Sequence, residues 1–256
     1  MRTIVLFLIL LGCGTSHITA QNDYLVTTIP NQEDPLSEEE QFIKENFPLQ
    51  LLCKWTPGMK FMFIPSGRDM FLPTLSVYET EKGADNSVLK HKILTFAGYE
   101  EKSQKLSNDM SYSTRLIFEC DGEKYYYEIK NTRPDEICEK NPRAYINGLV
   151  NLKDVDTAKD LLTGRKIYVQ SDMAQVDDAN SYSGYREVSI PVNTEATITA
   201  IGVGSQAYPV KIIFQDSQGH TYYLEVALSR TNSGMDVSDF QAEKKMRYFS
   251  NAISFS

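Results

Sequence analysis

The chain has 256 residues, of which 41% are apolar and 23% charged. This balance is ordinary for a globular protein, and the length suits one large domain or two small ones. Acidic residues outnumber basic ones by 34 to 26, which gives a formal net charge of −8. That charge argues against nucleic-acid binding, because such binding depends on Lys and Arg side chains that neutralise phosphates.

Residues 1–20 predict a cleaved export signal. Arg2 gives a short basic start, an apolar run follows, and the small residue Ala20 precedes Gln21, which is the pattern of a signal peptide. A second interpretation stays open, because the Leu-Leu-Gly-Cys stretch that ends at Cys13 resembles a bacterial lipobox, whose cysteine carries a lipid. An uncleaved anchor is the third. We expect a periplasmic or extracellular protein, which contacts a membrane only if Cys13 is lipidated.

Residues 21–36 are polar, contain two prolines and have no apolar period, which predicts a flexible lead. A helix is predicted directly after this lead. Ser37 can cap it, Glu40 completes a capping box, and Pro48 ends it.

Two parts of the chain repeat the same order of strands. After a Pro-Gly turn at residues 57–58 come a short apolar strand, a long polar loop, a second strand and a hairpin over residues 115–129. After Gly164 the same order begins again and ends in a hairpin over residues 211–226. Asp and Gly stand at the turn of each hairpin, and Asp-Gly between two strand-like runs is a strong hairpin pattern. The sequence therefore predicts a two-copy internal repeat.

This repeat predicts a mainly β protein with two tandem units. Asp154 can cap a second helix, and Gly164 lies just beyond the end of that helix. The expected segments are a first repeat with its leading helix over residues 37–130, a linker over residues 131–153, a second repeat with its leading helix over residues 154–230, and a C-terminal tail over residues 231–256.

The order of elements resembles a Src-homology-3-like (SH3-like) barrel, in which the long loop would be the RT loop. The chain also resembles a group of exported proteins of Bacteroidota-type bacteria. In the second copy the matching residues are Gly164, Lys166, Pro209, Val210, Lys211, Phe214, Asp216, Gly219, Tyr222 and Tyr223. The first copy lacks the Pro-Val and keeps Gly58, Lys60, Phe118, Asp121, Gly122, Tyr125 and Tyr126. Over about residues 50–130 and 160–230, the resemblance implies two tandem SH3-like barrels, each preceded by a short helix, and export. It implies no activity.

Three cysteines follow the export signal, and an odd number cannot all pair within one chain. A bridge between Cys120 and Cys138 is one interpretation, because an exported protein meets oxidising conditions. The other is that Cys53, Cys120 and Cys138 are three buried thiols. The cysteine and histidine spacings predict no metal site, and we expect no cofactor.

No nucleophile elbow, Walker loop or dinucleotide fingerprint occurs in the sequence, so we expect no enzyme. His91 and His220 stand at non-equivalent places in the two copies and predict surface residues. A Cys–His nucleophile would need one of these histidines beside Cys53, Cys120 or Cys138, and His91 with Cys53 is the pairing to check. Three acids of the second long loop lack the ligand spacing of a calcium loop and predict a solvated loop: Asp172, Asp177 and Asp178.

The chain is rich in aromatic residues, with 15 Tyr and 12 Phe. Neighbours in a strand face opposite sides, so one tyrosine of each hairpin pair is expected in the core and the other at the surface. Rigid aromatic side chains are favoured at binding patches. The candidate binding residues of the second copy are Tyr182, Tyr185, Tyr208 and Tyr222. The alternative is that these tyrosines only cover a thin core.

The sequence predicts an exported, non-catalytic binding or scaffold module that recognises a peptide, a cell-wall fragment or a partner protein. One alternative is a hydrolase for cell-wall or glycan substrates, which would need an acid pair or a Cys–His pair in a cleft between the barrels. The other is a structural assembly subunit.

Overall fold

A computed structural model gives the fold. It describes residues 35–48, 51–65, 72–106, 109–140, 146–205, 208–228, 231–232, 235–236 and 249–256. The predicted export signal, Cys13 and nearly all of the flexible lead lie outside these residues. Within them, no helix has both the length and the apolar character that crossing a bilayer requires.

The described residues form fifteen strands and five α-helices. The strands are β1 (Lys60–Phe63), β2 (Ser76–Val77), β3 (Ile93–Leu106), β4 (Asp109–Cys120), β5 (Glu123–Lys130), β6 (Leu149–Asn151), β7 (Lys166–Val169), β8 (Met173–Asp177), β9 (Tyr185–Ser189), β10 (Thr194–Val203), β11 (Val210–Asp216), β12 (Thr221–Val226), β13 (Thr231–Asn232), β14 (Met235–Asp236) and β15 (Ile253–Phe255). The helices are α1 (Glu38–Asn46), α2 (Asn86–Leu89), α3 (Ile137–Lys140), α4 (Leu152–Leu162) and α5 (Phe249–Ala252). Two 3₁₀ turns cover Leu52–Lys54 and Pro134–Glu136.

Two antiparallel sheets contain most of these strands, and one of them curves into a half-barrel. The first sheet has the order β2-β5-β4-β3-β1-β6, and the second has the order β15-β7-β10-β11-β12-β8-β9. A separate short ribbon pairs β13 with β14. The predicted mainly β class is therefore confirmed.

The core of the first sheet is aromatic. The ring centroids of Trp55 and Phe61 lie 4.4 Å apart, and those of Phe96 and Phe118 lie 5.7 Å apart. Period-two alternation directs these rings inward, since Lys60 is exposed while Phe61 beside it is fully buried. Burying a side chain of this size contributes roughly 2–3 kcal/mol to folding.

The core of the second sheet is mostly aliphatic. Val169, Ile198 and Ile212 are fully buried. Helix α4 completes this core with Val155, Ala158 and Leu162, which lie on one face because they recur at helical spacing.

The two sheets repeat one another in backbone detail. The N–H of Gly58 donates to the carbonyl of Phe96, and the N–H of Gly164 donates to the carbonyl of Ile198, both at 2.8 Å. The register shifts directly after Phe96 in β3 and directly after Ile198 in β10, so both copies carry a bulge at the same place. These shared features support the predicted duplication.

The last strand of each copy lies outside the predicted repeat boundaries. Strand β6, in the predicted linker, pairs with β1, and β15, in the predicted tail, pairs with β7. The two registers correspond, since Phe63 faces Leu149 and Val169 faces Ile253. Three-residue strands carry too little periodicity for the sequence to reveal them.

Helix α1 has the predicted cap, in which the N–H of Glu40 donates to Ser37 Oγ at 3.1 Å. Its position corrects the prediction that it belongs to the first repeat. Phe42 of α1 packs against Phe255, with ring centroids 5.2 Å apart, and Phe47 lies in the second core. The leading helix of the first copy therefore covers the second copy.

The predicted Cys120–Cys138 bridge is wrong. Cys138 of α3 pairs with Cys53, and their Cα atoms lie 5.2 Å apart. Cys120 is a buried free thiol. It points into the first core, where the strand alternation of β4 places it, whereas Cys53 and Cys138 lie on two short helical turns that contact one another.

Candidate functional site

The outer face of the second sheet carries a cation over a tyrosine. Alternation along β11 and β12 directs Phe214 and Leu224 into the core, so Lys211 and Tyr223 face the other way. Lys211 Nζ lies 3.6 Å from the centroid of the Tyr223 ring. This is a cation–π contact, in which the ammonium is attracted by the negative face of the ring.

A hairpin made of β8 and β9 runs beside this pair. It joins the sheet where Gln175 of β8 faces Tyr223 of β12. Its turn closes with the N–H of Asp178 donating to the carbonyl of Gly184 at 2.8 Å. Gly184 has a φ of +78°, a conformation that favours glycine. Tyr182 lies at the tip of this turn with its side chain fully exposed.

Strand β9 is the last strand of this sheet among the described residues. The N–H of Asp178 donates to Gly184, and the N–H of Ile190 donates to Asp172 at 2.9 Å. Hydrogen-bonded pairs alternate along an antiparallel ladder. The backbone groups of Tyr185 and Ser189 therefore point away from β8, toward the outer edge of the sheet.

The electrostatic environment of Tyr223 is negative. Burial, followed by the charge of Asp177 and then by Glu225 and Tyr185, raises the pKa of Tyr223 to about 12. Asp177 also forms a loose ion pair with Lys211, with 3.5 Å between Oδ1 and Nζ. Tyr185, Asp177, Lys211 and Tyr223 thus form one cluster at the base of the hairpin.

The four predicted tyrosines do not share one surface. Tyr182 and Tyr185 lie on the β8–β9 hairpin, and the second is half-buried. Tyr222 faces the core side, with its ring centroid 5.8 Å from that of Phe214, and Tyr208 is buried. Tyr182 and Tyr185 thus stay candidates on the hairpin, Tyr222 is half-buried on the opposite face of the sheet, and the burial of Tyr208 argues against a place for it on a binding surface.

Sequence reasoning missed Lys211, Tyr223 and Asp177 as a cluster. Period-two alternation does place one of Tyr222 and Tyr223 outside the core, but it does not say which. The hairpin register decides, because Phe214 faces Tyr222 and Ile213 faces Tyr223. The acid lies at the end of β8, and no local pattern specifies where β8 joins the sheet.

The first sheet has the same arrangement of a cation, a tyrosine and an acid. We call it the closed form because its cation, Arg115, is almost wholly buried. Arg115 Cζ lies 4.1 Å from the centroid of Tyr126, and Arg115 Nη2 donates to Glu81 Oε1 at 2.7 Å. Lys102 Nζ also reaches Glu81 at 3.0 Å. Hydrogen bonds from Arg115 and then from Lys102 lower the pKa of Glu81. The register confirms the correspondence, since Arg115 faces Glu128 as Lys211 faces Glu225.

The cysteine and histidine residues have structural roles here. Cys53 is in the disulfide, which removes it as the nucleophile that a pair with His91 would need. His91 has a φ of +62° and the position that Asn193, with a φ of +66°, has in the second copy. Both N–H groups donate at 2.7 Å to the last residue of the preceding strand, Phe63 or Val169. His91 is therefore a turn residue.

His220 contacts Asp216, with 3.0 Å between Nδ1 and Oδ2, in the turn between β11 and β12. The same carboxylate accepts the backbone N–H groups of Gln218 and His220 at 2.9 Å. Asp216 is thus occupied in holding the turn.

A shallow cavity of about 420 Å³ lies at the hairpin turn of the first sheet. Its lining includes Cys120, Glu119 and Lys124. Burial is the largest cause of the raised pKa of the Cys120 thiol, and a raised pKa lowers the reactivity of a thiol. Across the described ranges, no three His, Cys, Asp or Glu side chains are grouped so that they could hold a metal ion.

Comparison with known protein families, with characterised proteins and with solved structures finds no match to this chain.

Proposed function

We propose that the chain is an exported, non-catalytic binding module whose second sheet takes up an extended polypeptide along β9. The observation that carries this proposal is that β9 is the last strand of its sheet among the described residues, with the fully exposed Tyr182 at the tip of its hairpin. An added strand gains affinity from main-chain hydrogen bonds and specificity from alternate side chains.

We also propose that the two sheets are tandem SH3-like barrels. Both follow the chain order of a strand, a long loop, a strand, a connection and a tight hairpin. Both also return a short last strand to the side of the first strand, β6 to β1 and β15 to β7. The matching bulges and turn hydrogen bonds support a single ancestral unit.

Export is supported by the disulfide between Cys53 and Cys138, since disulfides persist in oxidising compartments. Mass spectrometry of the protein isolated from the envelope tests it. A mature N-terminus at Gln21 supports cleavage by signal peptidase, and a lipid on Cys13 supports the lipoprotein. An intact Met1 in a cytosolic fraction would overturn export.

Strand addition is tested with a displayed library of random peptides that is selected on the full chain. We expect enriched peptides that bind less well to a Tyr182→Ala and Tyr185→Ala double variant. Tyr168→Ala is the matched control, because Tyr168 is an exposed tyrosine of the same sheet on β7.

The selected peptide is then N-methylated along one edge or along the other. Methylation of the edge that pairs with β9 should abolish binding, because it removes the main-chain donors, and methylation of the opposite edge should not. Equal binding by both methylated forms, or equal binding to the double variant and the Tyr168→Ala control, would contradict strand addition.

A further inference from the structure

The charge around β9 indicates the chemistry of the peptide. We infer, on the basis of the proposed function, that the extended peptide is cationic and places a Lys or Arg side chain beside Asp177.

The hairpin region is strongly acidic. Residues 171–190 contain four acidic side chains and one basic side chain, which gives a local net charge of −3. The basic one, Arg186, lies 4.0 Å from Asp178. A surface of one sign attracts a partner of the opposite sign and raises its rate of encounter.

Asp177 keeps most of its surface in water. Its side chain is 83% exposed, although it contacts Lys211 at 3.5 Å. Lys211 itself lies over the Tyr223 ring and faces Glu225 in the strand register, so Asp177 shares this cation with a second acid and an aromatic ring. The negative potential that raises the pKa of Tyr223 comes from Asp177 and Glu225, after burial.

In the first sheet, the carboxylate beside the corresponding cation pairs with two cations. Glu81 accepts two cations, Arg115 at 2.7 Å and Lys102 at 3.0 Å. Arg115 corresponds to Lys211, because each faces the glutamate of the neighbouring strand, Glu128 or Glu225. Glu81 and Asp177, the last residue of β8, are thus the acids that pair with the corresponding cations of the two copies.

Strand β10 has no counterpart of Lys102 among its residues. Glu100 faces Arg115 in β3–β4, and Gly202 faces Lys211 in β10–β11. Lys102 lies two residues after Glu100, so its counterpart in the second sheet is the residue two after Gly202. That residue is Gly204, which lies just beyond the end of β10. Strand β10 therefore provides no second cation beside Asp177, as Lys102 provides one beside Glu81.

A cation from a bound peptide fits this place. It would pair with Asp177 and contact the half-buried ring of Tyr185, which begins β9 and faces Asp177 in the register. A Lys or Arg near a tyrosine face gains a cation–π attraction in addition to the ion pair. The peptide would thus give Asp177 a second cation, as Lys102 gives Glu81 a second cation in the first sheet.

The test uses three labelled peptides and measures their binding to the full chain by fluorescence anisotropy. One alternates lysine with threonine, one alternates glutamate with threonine, and one alternates lysine with proline, which cannot form a regular strand. We expect the first to bind, the second not to bind, and the third to bind much more weakly. Added salt should weaken the first complex, because surface charges are screened.

Asp177→Asn should weaken binding of the lysine–threonine peptide about fivefold, the effect of a single favourable ion pair near a surface. Asp156→Asn is the matched control, because Asp156 is an exposed acid on α4. If both threonine peptides bind equally and the Tyr182→Ala and Tyr185→Ala double variant loses both, the cationic inference is overturned and strand addition stands. If the lysine–proline peptide binds as well as the lysine–threonine peptide, or none binds, the inference fails together with strand addition.

Discussion

In the first sheet Arg115 lies over Tyr126 with 6% of its side chain exposed, whereas in the second sheet Lys211 lies over Tyr223 with 24% exposed. Both sheets place their shared strands in corresponding order and carry a bulge at the same place, and the second sheet adds β9. The difference lies in the acid that pairs with each cation, since Glu81 approaches Arg115 to 2.7 Å and Asp177 stays 3.5 Å from Lys211. Duplication has thus preserved the platform, while the loops have diverged into one closed form and one open form.

The comparison also explains why the closed copy suits a structural role. A guanidinium that is almost wholly buried is stable only when it is paired and packed. Arg115 has Glu81 and the faces of Tyr126 and Tyr78, the latter with its centroid 6.0 Å from Cζ. Its Nε has no hydrogen-bond partner among the described residues. In the open copy the cation Lys211 retains more contact with water, although the ring beneath it, Tyr223, is buried as Tyr126 is.

The largest expected effect concerns the disulfide, which belongs to the first copy alone. Replacing Cys53 and Cys138 by serine should lower the free energy of unfolding by about 4 kcal/mol, because the bridge closes a loop of 85 residues. Urea unfolding without reductant measures this. Cys120→Ser is the control for thiol loss. An unchanged unfolding midpoint in the double variant would show that the bridge does not stabilise the first copy.

The next test removes the cation from each sheet. Arg115→Ala should cost about 2–3 kcal/mol, because it empties a buried site against Tyr126. Lys211→Ala should cost less than about 1 kcal/mol, because its partner is exposed. Urea unfolding of the two variants compares them directly, and equal losses would contradict the distinction between a closed and an open copy.

A third test lies at the junction of the copies, where Asp154 is buried in the first turn of α4. Burial raises the pKa of Asp154 from 3.8 to about 6. A raised folded-state pKa of an acid means that the folded state binds the proton more tightly, so ionisation destabilises the fold as pH rises from about 4 to 6. At neutral pH, Asp154→Asn should therefore increase the free energy of unfolding by about 2 kcal/mol.

This gain should vanish at about pH 4, where the acid is protonated in the folded state. Unfolding measured across this pH range checks the window. Asp156→Asn on the exposed face of α4 is the control. A gain from Asp154→Asn that is the same at both pH values would exclude ionisation as its cause.

The smallest effect is expected at the hairpin tip. Tyr182→Ala should change the free energy of unfolding by less than about 0.5 kcal/mol, because the side chain is fully exposed. Tyr126→Ala in the first sheet should cost several-fold more, since that ring is buried under Arg115. Thermal unfolding separates the two. A large loss from Tyr182→Ala would show that the tip is structural.

The sequence predicted the features that depend on neighbouring residues. Asp121-Gly122 specifies a tight turn because both residues adopt positive φ, 52° and 85°, and Ser37 with Glu40 specifies the start of α1. It did not predict that Cys138 would pair with Cys53, which lies 85 residues away. Nor did it identify Tyr223 as the ring that lies on the side of the sheet opposite the core, because that choice depends on the hairpin register. Features set by distant segments have no local pattern.

The position of α1 has a consequence for the order in which the protein can fold. The first core is built from residues 52–149, a continuous stretch, whereas the second includes Phe47 and Ile253. The N–H of Phe255 donates to Glu39 Oε1 at 2.8 Å across 216 residues of sequence. A chain that emerges from a ribosome or a translocon can complete its first core early. Helix α1 must wait for β15, so the copy proposed to bind the peptide is completed last.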